Sequence, residues 1–251
     1  PYVLEKPPNA AGKSWLFEQE GEYSSGRPKW VIKNEKFKKS FEEMHKQILE
    51  GCVPAITTME CPKDERRKLS KIYDKPATRT FTILPPEINI LFRMYFGDFA
   101  AMVMKNRGNG FSQVGINPES LEWSELMNSF KKIGNRGFAG DYAKFDGIGS
   151  PAIYHSIVDI ANDWYGDGEV NARARHCLFA SIVHRKGLAE NLLISYSQGM
   201  PSGFAMTVIF NSFVNYYYMA LAWMNIIGAS LLSPQKDLNS FDTFTKIVVY
   251  G

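Results

Sequence analysis

The sequence predicts a fold of the α+β class, because helical and strand patterns follow one another along the chain. Apolar residues recur with helical periodicity over 36–50 and 88–105, whereas 80–84 is a β-prone run stopped by Pro85 and Pro86. Hydrophobic residues make up 45% of the 251 residues and charged residues 22%. This balance is typical of a globular protein with a sizeable core, and it excludes a disordered or collagen-like chain.

The first part of the chain is predicted to consist of loops followed by a helix. Residues 1–35 are rich in Gly, Pro, Ser and charged residues, which indicates extended and loop structure. The helix over 36–50 brings its apolar residues near one face, and these are Phe37, Phe41, Met44, Ile48 and Leu49.

The segment 63–79 is a basic strip. Its basic residues are Lys63, Arg66, Arg67, Lys68, Lys71, Lys75 and Arg79, and its acidic residues are Asp64, Glu65 and Asp74. The resulting net charge of +4 exceeds the +3 of the whole chain. A concentrated basic strip that leads into a β-strand suggests a phosphate channel, in which Arg offers bidentate contacts. The alternative is a solvated helix face.

A strand, an acidic turn and a capped helix are predicted to follow one another from Gly137. The strand and turn cover 137–147, Ser150 suits the N-cap, Pro151 suits the first helical position, and Gly166 closes the helix. The apolar stripe predicted for this helix consists of Ile153, Ile157, Ile160, Ala161 and Trp164.

Asp141 and Asp146 are candidates for a metal site. An aspartate at the end of a strand commonly holds a divalent cation against phosphate oxygens, and Mg²⁺ typically uses one or two carboxylates together with substrate phosphates. Taken alone, two aspartates at this spacing are also frequent in surface turns.

The loop 199–203 and the helix after it offer a polar surface. The glycines and proline of the loop allow its backbone to approach a ligand closely. Thr207 and Asn211 lie one turn apart on one helical face, and Ser202 stands at the transition from loop to helix. Together they suit a polar group such as a ribose hydroxyl. The alternative is a helix cap with two polar residues bonded to the backbone.

The stretch between Glu190 and Lys236 contains no charged residue, so a transmembrane helix has to be considered. The loop 198–203 interrupts it, and its asparagines and tyrosines are costly in hydrocarbon. We therefore predict a long helix buried in a protein core and no transmembrane span.

The cysteines predict no disulfide framework and no structural zinc site. Cys52, Cys61 and Cys177 are odd in number, without close pairing and without histidines at zinc-ligand spacing, which favours a reducing compartment. His176 beside Cys177 is not expected to form a nucleophile pair, since neighbours in sequence rarely do.

Taken in order, these motifs resemble those of the RNA-dependent RNA polymerases of picorna-like positive-strand RNA viruses. Within that family the resemblance points to insect viruses such as the iflaviruses and dicistroviruses. The strip 63–79 resembles the fingers motif that guides the incoming triphosphate. The segment 141–146 resembles the first palm motif, and 199–203 with 207–212 resembles the second. The loop 10–14 would occupy the place of the template-entry loop.

The resemblance implies a right-hand polymerase fold of the α+β class in a partial chain that lacks the thumb. It assigns 1–133 to the fingers, with the template-entry loop and the basic strip, and 134–251 to a partial palm with an inserted fingers segment. Both ends look cut. Since the family's third palm motif is Tyr-Gly-Asp-Asp and the chain ends at Tyr250 and Gly251, we expect truncation just before the two aspartates and an inactive fragment.

The resemblance also implies nucleotidyl transfer with two Mg²⁺ (or Mn²⁺) ions. Asp141 would be the catalytic metal ligand, with the Tyr142 carbonyl as a further ligand. The implied nucleotide-binding residues are Lys63, Arg67 and Arg79 at the triphosphate, Asp146, Thr207 and Asn211 at the ribose 2′-hydroxyl, and Ser202 and Gly203 in the loop. The second lysine of the fingers motif stays open between Lys71 and Lys75.

The implied partners are an RNA template and primer, nucleoside triphosphates and a small protein primer. Release from a polyprotein and a location in the host cytoplasm at virus-induced replication membranes are implied as well. Two rival functions remain at this point. A reverse transcriptase normally carries a bulky residue against the 2′-hydroxyl, where this chain has Asp146 with Asn211. A non-catalytic RNA-binding or membrane-associated scaffold would use the basic strip and the uncharged stretch.

Overall fold

A computed structural model describes residues 5–10, 12–74, 78–228 and 241–250. Among these residues the chain forms a mixed α+β fold with two β-sheets, six α-helices of 13 or more residues and a short helical turn at 241–244.

The helices and strands follow one another along the chain. The helices are α1 (Glu35–Leu49), α2 (Pro86–Lys105), α3 (Leu121–Ile133), α4 (Pro151–Tyr165), α5 (Glu169–Val183) and α6 (Thr207–Gly228). The strands are β1 (Phe17–Glu22), β2 (Pro28–Ile32), β3 (Thr57–Pro62), β4 (Thr80–Ile83), β5 (Lys186–Ala189) and β6 (Leu192–Ser195).

The larger sheet has the strand order β4-β3-β5-β6. Strand β3 pairs antiparallel with β4 and parallel with β5, and β5 forms an antiparallel hairpin with β6. The backbone of Glu190, in the hairpin turn, has a φ of 54°, since positive φ at this point matches the twist of the strands. The smaller sheet is the antiparallel pair β1–β2.

The core is built around α2, which buries one broad face against the neighbouring helices. Phe92 of α2 meets Phe204 at a ring-centroid distance of 4.3 Å, and Phe179 of α5 meets Phe210 of α6 at the same distance. Phe96 contacts both Phe179 and Phe210. Such aromatic pairs bury large apolar areas and prefer defined geometries. They therefore fix where the first turns of α6 lie.

A buried arginine ties three helices together. Arg175 of α5 is 1% exposed and its guanidinium donates hydrogen bonds to the Tyr95 carbonyl at 3.1 Å, to Asn162 at 3.0 Å and to both carboxylate oxygens of Asp167. The same guanidinium stacks on the Tyr165 ring, 4.0 Å from its centroid. A buried charge is tolerated only when it is paired and hydrogen-bonded in this way.

The structure confirms most of the predicted helices and strands. The helices predicted over 36–50 and 88–105 are α1 and α2, the run 80–84 is β4, and the uncharged stretch contains the long helix α6. Gly166 closes α4 with a φ of 58°. Within the described ranges, no helix has the length and apolar character needed to cross a bilayer. The end of the uncharged stretch, 229–235, lies outside them, as does Lys236.

The strand predicted before Asp141 was wrong. Residues 137–142 have no regular secondary structure, and a one-turn 3-10 helix, Phe145–Gly147, follows. A strand needs a neighbour to accept its backbone hydrogen bonds, and no described strand lies beside this segment. The segment is also exposed, with Phe138 84% accessible to solvent.

The predicted face of α4 was partly wrong. Ile160 and Trp164 are 49% and 45% exposed. The residues that α4 buries are Tyr154, Ile157, Val158 and Ala161. These follow the helical spacing i, i+3, i+4, i+7, and the tyrosine at the first position was not counted as apolar in the sequence. Ser150 has the extended backbone of an N-cap but makes no capping hydrogen bond through its side chain.

The cysteines are free thiols, as predicted. Cys177 is buried, and burial raises the pKa of its thiol. The neighbouring imidazole of His176 instead contacts His155 and Asp159, each at 2.9 Å. The two adjacent residues therefore do not form a nucleophile pair.

Arg175→Met should destabilise the chain by about 2–4 kcal/mol, because it leaves buried hydrogen-bond acceptors without their donor. Arg173→Met is the matched control, since Arg173 lies on the same helix but is exposed, and it should cost less than about 1 kcal/mol. Urea unfolding of the purified chain measures both. Equal losses for the two variants would contradict a structural role for the buried guanidinium.

Candidate active site

A cavity of about 900 Å³ opens between the ends of β3 and β4, the acidic loop 140–146 and the start of α6. This volume is typical of a small-molecule site. Seven of the ten site residues predicted from sequence line it, and these are Lys63, Arg79, Asp141, Tyr142, Asp146, Ser202 and Asn211. Residues that are up to 148 positions apart in sequence therefore meet in one cleft.

The basic wall of the cleft is formed where β3 ends and β4 begins. The Lys63 amide donates a hydrogen bond to the Arg79 carbonyl at 2.8 Å, which continues the pairing of the two strands and sets the two cationic side chains beside each other. The Arg79 guanidinium lies 3.6 Å from the Glu65 carboxylate, which pairs more closely with Arg67 at 3.2 Å. Arg67 does not line the cavity, and its contact with the triphosphate stays a prediction.

The acidic wall carries two exposed carboxylates, Asp141 and Asp146. Within the described residues neither carboxylate takes part in a hydrogen bond or an ion pair. Hard oxygen atoms of this kind, with the main-chain carbonyl of Tyr142 nearby, fit the preference of Mg²⁺ for one or two carboxylates completed by substrate phosphates. The described ranges contain no group of three or more acidic, histidine or cysteine residues that could hold a metal ion without a substrate.

The loop 198–200 holds the acidic wall in position. The Met200 amide donates to the Asp146 carbonyl at 2.6 Å, and the Gly199 amide donates to the Gly149 carbonyl at 3.1 Å. The side-chain amide of Gln198 donates to the Gly147 carbonyl at 2.9 Å. Gly199 has a φ of 76°, and a Cβ there would lie 2.6 Å from the Asp146 carbonyl oxygen. The contact therefore requires glycine.

The next part of the loop is attached to the basic wall. Ser202 Oγ accepts a hydrogen bond from the Thr82 amide of β4 at 3.2 Å. A Cβ on Gly203 would overlap the Thr82 carbonyl oxygen, so the close approach that Gly203 permits is to this protein's own backbone. The Thr82 hydroxyl in turn donates to Glu60 of β3 at 2.8 Å. Gly203 does not line the cavity, whereas Ser202 does.

A buried cation lies beneath the same loop. Arg185 is 5% exposed, donates to the carbonyls of Ile182 at 3.0 Å and Gly199 at 3.4 Å, and stacks 4.1 Å from the centroid of the Tyr196 ring. Burial lowers the pKa of Arg185, while the nearby Tyr196 and Glu60 oppose that shift. The guanidinium thus supports the loop at Gly199.

Of the two predicted polar residues at the start of α6, one lines the cavity and the other does not. Thr207 donates its hydroxyl to the carbonyls of Pro201 and Phe204, at 2.9 and 2.8 Å, and does not line the cavity. Asn211 does line it, and its Oδ1 atom is buried without a hydrogen-bond partner in the described residues. An unsatisfied buried acceptor costs about 1–3 kcal/mol. A donor group on a ligand would remove that cost.

The structure adds residues to the cleft that the sequence did not indicate. Asn215 follows Asn211 by one helical turn and lines the cavity; its i+4 spacing was a usable signal. Lys144 lines it too, with the left-handed backbone angles φ 58° and ψ 39°. This conformation costs a non-glycine residue about 1–2 kcal/mol, and nothing in a lysine predicts it.

The candidates for the second lysine of the fingers motif are Lys71, which the structure describes, and Lys75, which it does not. Lys71 ends a short 3-10 helix, Leu69–Lys71, and does not line the cavity. Lys75 lies outside the described residues, as do Ala11 of the predicted template-entry loop and Gly251. The choice between Lys71 and Lys75 therefore stays open.

Comparison with known proteins gives consistent matches. The family model described as viral RNA-dependent RNA polymerase matches residues 27–251. The chain is 65% identical over its full length to the genome polyprotein of Rice tungro spherical virus (strain A), of which it covers 7%. It is 34% identical over its full length to the RNA1 polyprotein of Andean potato mottle virus, of which it covers 34%. The chain thus spans a minor part of these relatives.

A solved structure shares the fold. The Sicinivirus 3Dpol RNA dependent RNA polymerase superposes on the whole of this chain with a TM-score of 0.70 at 22% identity, and the chain covers 47% of it. The predicted α+β architecture, that of part of a right-hand polymerase, is thereby confirmed.

Gly203→Ala should destabilise the chain by at least about 2 kcal/mol, because the new Cβ would force β4 or the loop to move. Gly137→Ala is the control, since a Cβ there meets nothing within 4 Å, and it should change stability by less than about 0.5 kcal/mol. Thermal unfolding compares them. An unchanged Gly203→Ala variant would show that the loop does not depend on this contact.

Proposed function

We propose that this chain, which belongs to the family of viral RNA-dependent RNA polymerases, supplies the nucleotide-binding and part of the metal-binding surface for RNA-directed RNA synthesis. In that reaction the 3′-hydroxyl of an RNA strand attacks the first phosphate of a nucleoside triphosphate and pyrophosphate leaves. The observation that carries the proposal is the cleft, which brings the carboxylates of Asp141 and Asp146 together with Lys63 and Arg79. Within the described residues, these carboxylates and the buried Asn211 Oδ1 beside them have no hydrogen-bond partner.

The basic wall would bind the triphosphate. Lys63 and Arg79 are adjacent at the ends of two paired strands, so their charges can act together on the phosphates and on the pyrophosphate as it leaves. Arg67 would act less directly, since it is held by Glu65. Glu65 pairs with both Arg67 and Arg79. Because the ion pair of Arg79 is exposed and weak, Arg79 can leave Glu65 and bind the triphosphate.

The acidic wall would hold the metal ions. Asp141, with the Tyr142 carbonyl, is the ligand we assign to Mg²⁺ (or Mn²⁺), and phosphate oxygens of the substrate would complete the coordination. When bound, such ions activate the attacking hydroxyl and neutralise the charge that develops on the transferring phosphate. Asp141 suits this role because no described group competes for its carboxylate.

Asn211 and Asp146 would bind the sugar of the nucleotide. The 2′-hydroxyl distinguishes ribonucleotides from deoxyribonucleotides, and it can donate a hydrogen bond to the unpaired Oδ1 of Asn211. Asp146 lies in the same cleft, and its carboxylate can accept a hydrogen bond from that hydroxyl. Ser202 would position the nucleotide while it is tied to β4. The Thr207 hydroxyl already donates to two carbonyls. Its direct contact with the sugar stays a prediction.

The cleft also weighs against the rival functions. A reverse transcriptase would need bulk against the 2′-hydroxyl, where Asp146 and Asn211 leave polar groups. A non-catalytic scaffold would have no use for two carboxylates, unpaired among the described residues, in one cleft with Lys63 and Arg79. This arrangement is typical of chemistry on phosphates.

Further proposals follow from membership of the family. We assign 1–133 to the fingers and 134–251 to a partial palm, and we expect an RNA template and primer, a small protein primer, and a location in the host cytoplasm at replication membranes. Inactivity of the isolated chain is also an expectation. The narrower affiliation with insect iflaviruses and dicistroviruses stays a prediction, since the relatives compared above come from rice and potato viruses.

Asp141→Asn in the full-length enzyme should lower nucleotide incorporation by at least about 10³-fold, because a neutral amide cannot replace a carboxylate that holds the metal. Primer-extension assays with Mg²⁺ measure the loss. Asp163→Asn, at an exposed position of α4 outside the cleft, should leave incorporation unchanged. Near-normal synthesis by a correctly folded Asp141→Asn enzyme would rule out the metal-ligand role.

Asn211→Ala should reduce the preference for ribonucleotides over deoxyribonucleotides by roughly tenfold, the worth of one hydrogen bond to a substrate hydroxyl. The measurement is the ratio of kcat/KM for the two substrates. Stability should fall little, because the variant also removes a buried atom that lacks a partner. Asn225→Ala, at an exposed position of the same helix, serves as control, and unchanged selectivity of Asn211→Ala would make this residue purely structural.

A further inference from the structure

We propose that Lys144 is a third phosphate-binding cation of the cleft and contacts the triphosphate of the incoming nucleotide. The inference rests on the proposed function and adds to it a residue outside the predicted set. Lys144 lies in the acidic loop between Asp141 and Asp146, and it lines the same cavity as Lys63 and Arg79. The cleft would thus present a cation on its acidic wall as well as on its basic wall.

The backbone of Lys144 indicates that the side chain has a use. Its φ of 58° is left-handed, a conformation that glycine adopts freely and asparagine adopts more readily than lysine. Among the described residues, Glu190 is the other non-glycine residue with positive φ, and there the hairpin turn requires it. No hairpin surrounds Lys144. Strain of this kind is concentrated at binding and catalytic sites.

The ammonium group is also available to a ligand. Lys144 is exposed, and within the described residues its side chain makes no ion pair and no hydrogen bond, even though Asp141 and Asp146 line the same cleft. It therefore does not serve to neutralise the carboxylates in the protein alone. A flexible lysine beside an open cleft is suited to a mobile anionic substrate, because it binds as a point charge without a fixed geometry.

The charge balance of the cleft makes the contribution of Lys144 large. The charged lining residues are Lys63, Arg79 and Lys144 against Asp141 and Asp146, so the net charge is +1 with Lys144 and zero without it. A nucleoside triphosphate carries several negative charges, and clefts lined by one sign of charge concentrate ligands of the other sign. Lys144 therefore turns a balanced lining into a net positive one.

The test compares three substitutions at this position in the full-length enzyme. Lys144→Asn and Lys144→Gly remove the charge and relieve the backbone strain, whereas Lys144→Arg keeps the charge. We expect the first two to raise the KM for nucleoside triphosphates roughly tenfold, with a smaller change in kcat and an equal or higher thermal midpoint. Lys144→Arg should stay within about threefold of wild type. Glu190→Asn controls for strain relief alone and should leave KM unchanged.

Each other outcome contradicts a defined part of the argument. An active wild-type enzyme whose KM is the same in Lys144→Asn would overturn the inference and leave the proposed function intact. Unchanged KM together with weaker binding of a primer–template duplex would also overturn it, since the lysine would then contact RNA phosphates. A full-length wild-type enzyme that incorporates no nucleotide would contradict the proposed function itself, and with it this inference.

Discussion

The two walls of the cleft are held together by the loop 198–203, through contacts that leave no space for a Cβ atom. Gly199 packs against the Asp146 carbonyl and Gly203 against the Thr82 carbonyl, so one short loop touches the acidic loop on one side and strand β4 on the other. Any side chain at either position would separate the carboxylates from the cations. The loop thus sets the width of the cleft, and the hydrogen bonds of Met200 and Ser202 keep it there.

The core serves this arrangement by fixing the helices behind it. The aromatic contacts of Phe92, Phe179 and Phe210 bring α2, α5 and α6 into one layer, and α6 then presents Asn211 to the cleft. Two buried arginines have different tasks in this layer. Arg175 satisfies its charge fully against an aspartate, an asparagine and a carbonyl, whereas Arg185 supports the loop beneath the cleft with fewer partners.

Within the cleft, several groups lack described partners or have a strained backbone, and this lowers the stability of the folded chain. Among the described residues, the carboxylates of Asp141 and Asp146 have no partner and the buried Oδ1 atom of Asn211 has no donor. Lys144 keeps a strained backbone. Proteins commonly depart from local consistency at functional sites and compensate elsewhere. Here the compensation is visible in the hydrogen-bonded guanidinium of Arg175 and in the bonded loop. In the proposed function, a nucleotide and metal ions would satisfy the groups that have no described partner.

The sequence by itself determined the helices and the strand with strong periodic patterns, such as α1, α2 and β4, because those patterns are local. It also indicated the residue types of the site, since carboxylates, cations and amides must be present for the chemistry. Only the tertiary structure decided which of them meet. The segment before Asp141 is not a strand because no neighbour pairs with it, and Gly203 serves a contact with Thr82, more than a hundred residues away. Such contacts depend on how distant segments pack, and the spacing of residues along one segment carries no information about them.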